Sequence, residues 1–169
     1  MEFDATVIQV RGLASCKTGL IHHFPHEEIP VPSTTKDVAH GKSTYQSSTW
    51  SPHYPSSMAV DGNPKTVQHA DIQHNPYWVV DLGHMYSITS VEVYNKPQNK
   101  GERFRDVDIL VGEHHDNHMS LCAHYVGPSH TGAHQVFDCS RVLQGRFVKI
   151  TIRQREYLHM AEVKVTALV

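Results

Sequence analysis

The chain has 169 residues, 39% of them hydrophobic, which is enough to bury the core of one ordinary domain and too apolar for a disordered chain. Fifteen Lys and Arg against 17 Asp and Glu leave a formal charge of −2, so no electrostatic footprint for nucleic acid is present. No apolar run approaches the roughly 18 residues of a membrane span, and no membrane insertion is expected.

The N-terminal stretch MEFDATVIQV has neither a basic flank nor an apolar h-region, so no signal peptide is read there. Residues 1–36 differ in texture from the rest. A strand-like run, ATVIQV, is followed by IHHFPHEEIPVPSTTKD, where Pro25, Pro30 and Pro32 bar a helix or a central strand. This segment is expected to be an arm or linker. Histidines cluster at 22–28 and 113–118, and both clusters read as solvated loop residues rather than as a built metal site.

From residue 37 the pattern is β. YWVVDLG (77–83), SITSVEVYN (87–95), RDVDILVGE (105–113), HQVFDC (134–139), RFVKITIRQ (146–154) and MAEVKVTAL (160–168) read as strands. Val107, Ile109 and Val111 alternate onto one face, as do Val148, Ile150 and Ile152. At most one helical turn, SSMAV at 56–60, interrupts them. Many short strands and no amphipathic helix predict an all-β antiparallel sandwich of jelly-roll type, with its site on loops at one end.

No HExxH, CxxC, P-loop, GxGxxG or nucleophile elbow occurs. Asp81, Glu102, Asp106, Asp108 and Glu162 are available carboxylates, but carboxylates on strands are usually solvated or paired, so no enzyme is expected. Of the three cysteines, Cys122 and Cys139 flank one apparent hairpin, where a bridge is sterically feasible in an oxidising compartment. Cys16 is then left over. The loop MAVDGNPKT (58–66) can be read in two ways. Asp-Gly-Asn is an ordinary turn, and it is also a fold of carbonyls and a carboxylate around a hard cation, with Thr66 adding a hydroxyl and Glu162 closing the shell.

SSMAVDGN, NPYWVVDLG, YSITSVEVYN, ERFRDVDILVG and GRFVKITI…LHMAEVKV, in that order, resemble the F-type lectin (fucolectin) family, a branch of the discoidin/coagulation-factor type C jelly rolls. The resemblance covers about residues 37–169 and implies a carbohydrate-binding domain there. That family's sugar motif is a His, then after about two dozen residues Arg-x-Asp-x4-Arg/Lys. Here His69 takes the histidine position, Lys96 stands for the first arginine, Gln98 for the aspartate, and Arg103 matches the last basic residue. Two positions match and two are altered. Lysine keeps the charge of arginine without its planar fork, and Gln98 adds no negative charge between the cations. The imidazole and both cations are expected to donate hydrogen bonds to the sugar. Asn99 and Lys100 stand where many members carry a cysteine pair that forms an apolar platform. Tyr54 and His53 are candidates for the side chain that covers the sugar face.

The resemblance also implies structural Ca²⁺. Asp61 and Glu162 would serve as side-chain ligands, Thr66 as a hydroxyl ligand, and Met58, Asn63 and Ala161 as carbonyl donors. Val67 and Ala161 occupy the positions of a family disulfide, whereas the Cys122–Cys139 bridge has a family counterpart. The implied partners are fucosylated or other glycans on glycoproteins or cell surfaces, met outside the cell. Lys96, Lys100, Arg103 and Arg105 form a basic patch suited to sulfate, sialate or uronate. Weak single sites imply multivalent glycans or a homo-oligomer. The competing class is a discoidin-like protein-interaction or adhesion module that has lost or retuned sugar binding. A glycan-anchoring module of a larger enzyme is a third.

Overall fold

The computed structural model describes residues 33–169. Cys16, the histidines at 22–28 and nearly all of the expected arm lie outside the described residues. Eight strands follow in order: β1 (Thr35–Asp37), β2 (Ser43–Gln46), β3 (Gln68–His74), β4 (Tyr77–Asn95), β5 (Val107–Gly112), β6 (Ser120–Tyr125), β7 (His134–Ile152) and β8 (Arg155–Leu168). Two short 3-10 turns, Ser56–Val60 and Gly101–Arg103, are the helical elements among the described residues. All strand pairs are antiparallel.

The sandwich is built by two long strands that each serve both layers. The first half of β4, Tyr77–Asp81, pairs with β2 and with Phe147–Thr151 of β7. Its second half, from Tyr86, pairs with the first half of β7 and with β8. The register breaks between Asp81 and Tyr86, so the strand changes layer there. The predicted strands 77–83 and 87–95 are therefore one bent strand, and 134–139 and 146–154 are likewise one strand, β7. Strands β1, β2, β3 and β6 had no counterpart in the sequence reading. Sheet pairing starts at Thr35, opposite Leu168, two residues inside the segment assigned to the arm.

Alternation dictates the core. Val107, Ile109, Val111, Val148, Ile150 and Ile152 are all buried, as are Val163 and Val165. Trp78 and Phe104 are the largest fully buried side chains. The Trp78 indole Nε1 donates to the Ser56 carbonyl at 2.9 Å, which ties the first 3-10 turn to the core. Cys122 of β6 and Cys139 of β7 are joined by a disulfide. Of the strand carboxylates, Asp81 accepts two bonds from Arg146 at 2.6 and 2.7 Å. Asp108 is bound by Arg153 at 2.6 Å and faces His124 Nδ1 at 2.8 Å.

Candidate carbohydrate site and cation loop

His69 is the second residue of β3, held against β8 opposite His159. The preceding loop is strapped to the same strand. Trp50 N–H donates to the His69 carbonyl at 3.0 Å, and His69 N–H donates to the Tyr54 carbonyl at 3.3 Å. These bonds gather Trp50, Tyr54, Tyr157 and His159 around the imidazole, with ring centroids 4.9 to 5.8 Å from it. His69 is only 4% exposed. Its Nδ1 lies 3.0 Å from the Ala70 carbonyl. A carbonyl can only accept, so Nδ1 carries the hydrogen. Burial above all, then Lys96 and Arg103, holds the ring below its ordinary titration range, so it is neutral near pH 7. Nε2 of the neutral ring is then a bare acceptor.

Lys96 and Arg103 come from the loop after β4, and that loop is pinned by Asn95. The buried Asn95 amide Nδ2 donates to the Gly101 carbonyl at 2.8 Å and to the His130 carbonyl at 3.0 Å. Its Oδ1 accepts from Lys96 N–H at 2.8 Å, and Gly132 N–H bonds the Lys96 carbonyl at 2.9 Å. A Cβ on Gly101 would collide with the backbone of His130 and Thr131, so only glycine lets the 3-10 turn seat there. That turn ends in Arg103. Two residues that sequence reasoning missed, Asn95 and Gly101, thus preorganise the basic pair.

Arg103 meets partners the sequence did not announce. Its guanidinium lies 4.4 Å over the Tyr157 ring, and its Nε is 3.7 Å from Glu156 Oε1. Glu156 also lies 3.7 Å from Arg105. The negative charge that Gln98 cannot provide comes instead from β8. Arg103, Lys96, His69, Asn99, Tyr157 and Trp50 line one cleft of about 300 Å³. Trp50, 52% exposed, offers an apolar face there, and it was not among the expected stacking residues. Gln98 does not line this cleft. It faces a neighbouring one of about 500 Å³ together with His53, Tyr54 and Lys96. Lys96 and Asn99 form the wall common to both.

The loop at 58–66 gathers oxygens. The Thr66 hydroxyl lies 2.8 Å from Asp61 Oδ2, 2.7 Å from the Asn63 carbonyl and 3.5 Å from the Met58 carbonyl. One hydroxyl hydrogen cannot serve three acceptors. Gly62, at φ +79, turns its N–H onto Glu162 Oε1 at 3.1 Å. Glu162 is 4% exposed, and its Oε2 is buried with no hydrogen-bond partner. Burial first, then the charges of Asp61 and Asp37, pushes its pKa up to about 7. Among the described residues no group of three His, Cys, Asp or Glu side chains is arranged to hold a metal ion. The donor set is instead two carboxylates, a hydroxyl and backbone carbonyls, which suits a hard oxygen-seeking cation rather than a transition metal. Val67 and Ala161, at the positions of the absent bridge, are both buried.

Residues 43–163 match the F5/8 type C domain. Fucolectin-6 of Anguilla japonica is 33% identical over 170 residues, covering 96% of this chain and 87% of the eel protein. The chain belongs to the fucolectin (F-type lectin) family. Among solved structures, the fucolectin from serum of Morone saxatilis (striped bass) superposes with a TM-score of 0.73 at 29% identity. That match covers 81% of this chain and 49% of the bass chain, so the chain spans about half of that protein. A fucose binding module of Streptococcus pneumoniae superposes with a TM-score of 0.68 at 26% identity, covering 77% of this chain and 96% of the module.

Proposed function

We propose that this chain is a calcium-supported lectin that reversibly binds fucose-type sugars on glycoproteins or cell surfaces, without catalysis. The observation that carries this reading is the convergence of His69, Lys96, Arg103, Tyr157 and Trp50, drawn from separate segments, around one cleft. Their chemistry is complementary to a small polyol. Neutral His69 Nε2 accepts a hydroxyl hydrogen, while Lys96 and Arg103 donate to neighbouring sugar oxygens. Hydrogen bonds from charged donors are the stronger kind. Trp50 and Tyr157 supply apolar surface for the C–H face and methyl group of the sugar, in place of the cysteine platform replaced by Asn99 and Lys100. Glu156 and the Tyr157 ring hold the Arg103 guanidinium in position before ligand arrives, which lowers the ordering cost of binding.

Ca²⁺ would be held by the side chains of Asp61 and Glu162, the Thr66 hydroxyl and the carbonyls of Met58, Asn63 and Ala161. The orphaned Glu162 Oε2 supports this fit. The ion would neutralise two carboxylates and fix the 58–66 loop. Extracellular residence accords with the Cys122–Cys139 disulfide and with the serum origin of the bass relative.

The test is binding of the Ca²⁺-loaded protein to immobilised fucosylated glycans. Wild type should bind, Arg103→Ala should lose at least about tenfold in affinity, the effect of one charged hydrogen bond, and His69→Ala roughly two- to tenfold, the effect of a neutral one. Glycan surfaces left bare by a cooperatively folded wild type would instead favour a protein-interaction module. The turning of Gln98 away from the His69 cleft is the observation that would then gain weight.

A further inference from the structure

We propose that the larger cleft beside the His69 site is a subsite for an anionic substituent, a sulfate ester or a carboxylate, on the sugar next to the one held at His69. The inference rests on the lectin reading above and names a ligand class for the adjoining surface.

The first argument is charge. Lys65 and Lys96 line this cleft from different loops, together with His53, Gln98 and Asn99, and no carboxylate lines it. Two nearby acids are engaged with other groups, and Glu102, the acid nearest Asn99 in the chain, does not line the cleft. Asp61 accepts from Thr66 and from the Asn63 N–H. Glu156 lies against Arg103 and Arg105. Glu156 offsets one of those two positive charges, whereas no carboxylate lines the cleft that holds Lys65 and Lys96. Among the described residues Lys96 makes no salt bridge, and burial and the nearby Arg103 both disfavour its charge. An anion placed beside it would relieve that disfavour.

Position is the second argument. Lys96 and Asn99 line both clefts, so a group in the larger one lies just across that shared wall from a sugar at His69. A volume of about 500 Å³ lies within the roughly 300–1,000 Å³ of small-ligand sites. Two ammonium groups and two amides are donors that match sulfate or carboxylate oxygens. Two lysines in a chain of net charge −2 are too few to follow a nucleic-acid backbone.

The experiment measures equilibrium binding of the full Ca²⁺-loaded chain to four ligands. They are a neutral fucosylated oligosaccharide, its counterpart with a sulfate ester on the neighbouring sugar, its sialylated counterpart, and the sulfated oligosaccharide without fucose. At least one acidic fucosylated ligand should bind roughly 3- to 10-fold tighter than the neutral one, the gain shrinking as salt is raised. Lys65→Gln should abolish the gain and leave affinity for the neutral ligand unchanged. Whether sulfate or sialate gains more identifies the anion. Equal binding of neutral and acidic ligands, or a gain that survives Lys65→Gln, overturns the inference and leaves the lectin reading intact. Equal binding of the ligand without fucose, insensitive to His69→Ala, also overturns it, as a nonspecific charge effect. Absence of binding to every ligand sinks both readings together.

Discussion

Replacing His159 with leucine should make the fold resistant to mild acid. His159 is 1% exposed, lies opposite His69 across the β3–β8 pair, and its ring sits 4.9 Å from it at a tilt of 51°. Neither ring nitrogen has a protein hydrogen-bond partner. Burial first, then His69, Lys96 and Arg103, pulls its pKa from 6.5 to about 3. A histidine with a depressed folded pKa favours the fold while it is neutral. That contribution is complete above the unfolded value of 6.5 and is lost as pH falls from there toward 3. Each pH unit in that window removes about 1.4 kcal/mol, so about 2 kcal/mol is gone by pH 5. The assay is urea unfolding at pH 7.5 and pH 5.0 with Ca²⁺ held constant. Wild type should lose about 2 kcal/mol more than His159→Leu between the two pH values. At pH 7.5 the variant should be within about 1 kcal/mol of wild type, because no protein hydrogen bond is lost. Parallel losses in the two proteins would refute the reasoning.

Chelation should lower the melting temperature, and more at pH 8 than at pH 5. Glu162, raised to about 7 in the fold, destabilises the ion-free protein progressively as pH climbs from 4.5 through 7, and a bound cation cancels that penalty. Thermal melts with and without chelator at both pH values check this. Cys122→Val with Cys139→Ala opens a cross-link spanning 17 residues and should cost about 3 kcal/mol in denaturant unfolding. Trp50→Ala should weaken fucoside binding by roughly tenfold in calorimetry, with little change in stability, because the side chain is half exposed. Asn95→Ala removes three side-chain hydrogen bonds that pin the 96–103 loop, to the Gly101 and His130 carbonyls and from Lys96 N–H, and should cost about 1–3 kcal/mol in unfolding free energy, together with a loss of affinity as that loop loosens.

Period-2 runs made the sandwich legible, because β5, the end of β7 and β8 repeat Val and Ile at alternate positions. Strands β3 and β2 escaped notice because QHADIQH and STYQ are polar; β3 is a strand because β8 offers it backbone partners, and β2 because β4 does. The bends in β4 and β7 were equally silent, since one bent strand and two strands give the same pattern on each side of the break. At the site, His69, Lys96 and Arg103 were found through family resemblance, and the structure brings those three to one cleft. Glu156, Tyr157 and Trp50 were missed because they are distant in sequence and carry no motif. Only the β3–β8 pairing and the loop strapped to β3 bring them there. Asn95 and Gly101 act through backbone bonds and close approach, which leave no periodic trace.

Lectin activity through the His69 cleft is tested most directly by titrating ¹⁵N-labelled, Ca²⁺-loaded protein with methyl α-L-fucoside and following its two tryptophan indole resonances. Trp50 lines the cleft, whereas Trp78 is buried with its indole bonded to Ser56. One indole signal should shift saturably and the other stay fixed, and Arg103→Ala should abolish the shift. Two unmoved signals at millimolar fucoside, in a spectrum that remains folded, would contradict the account.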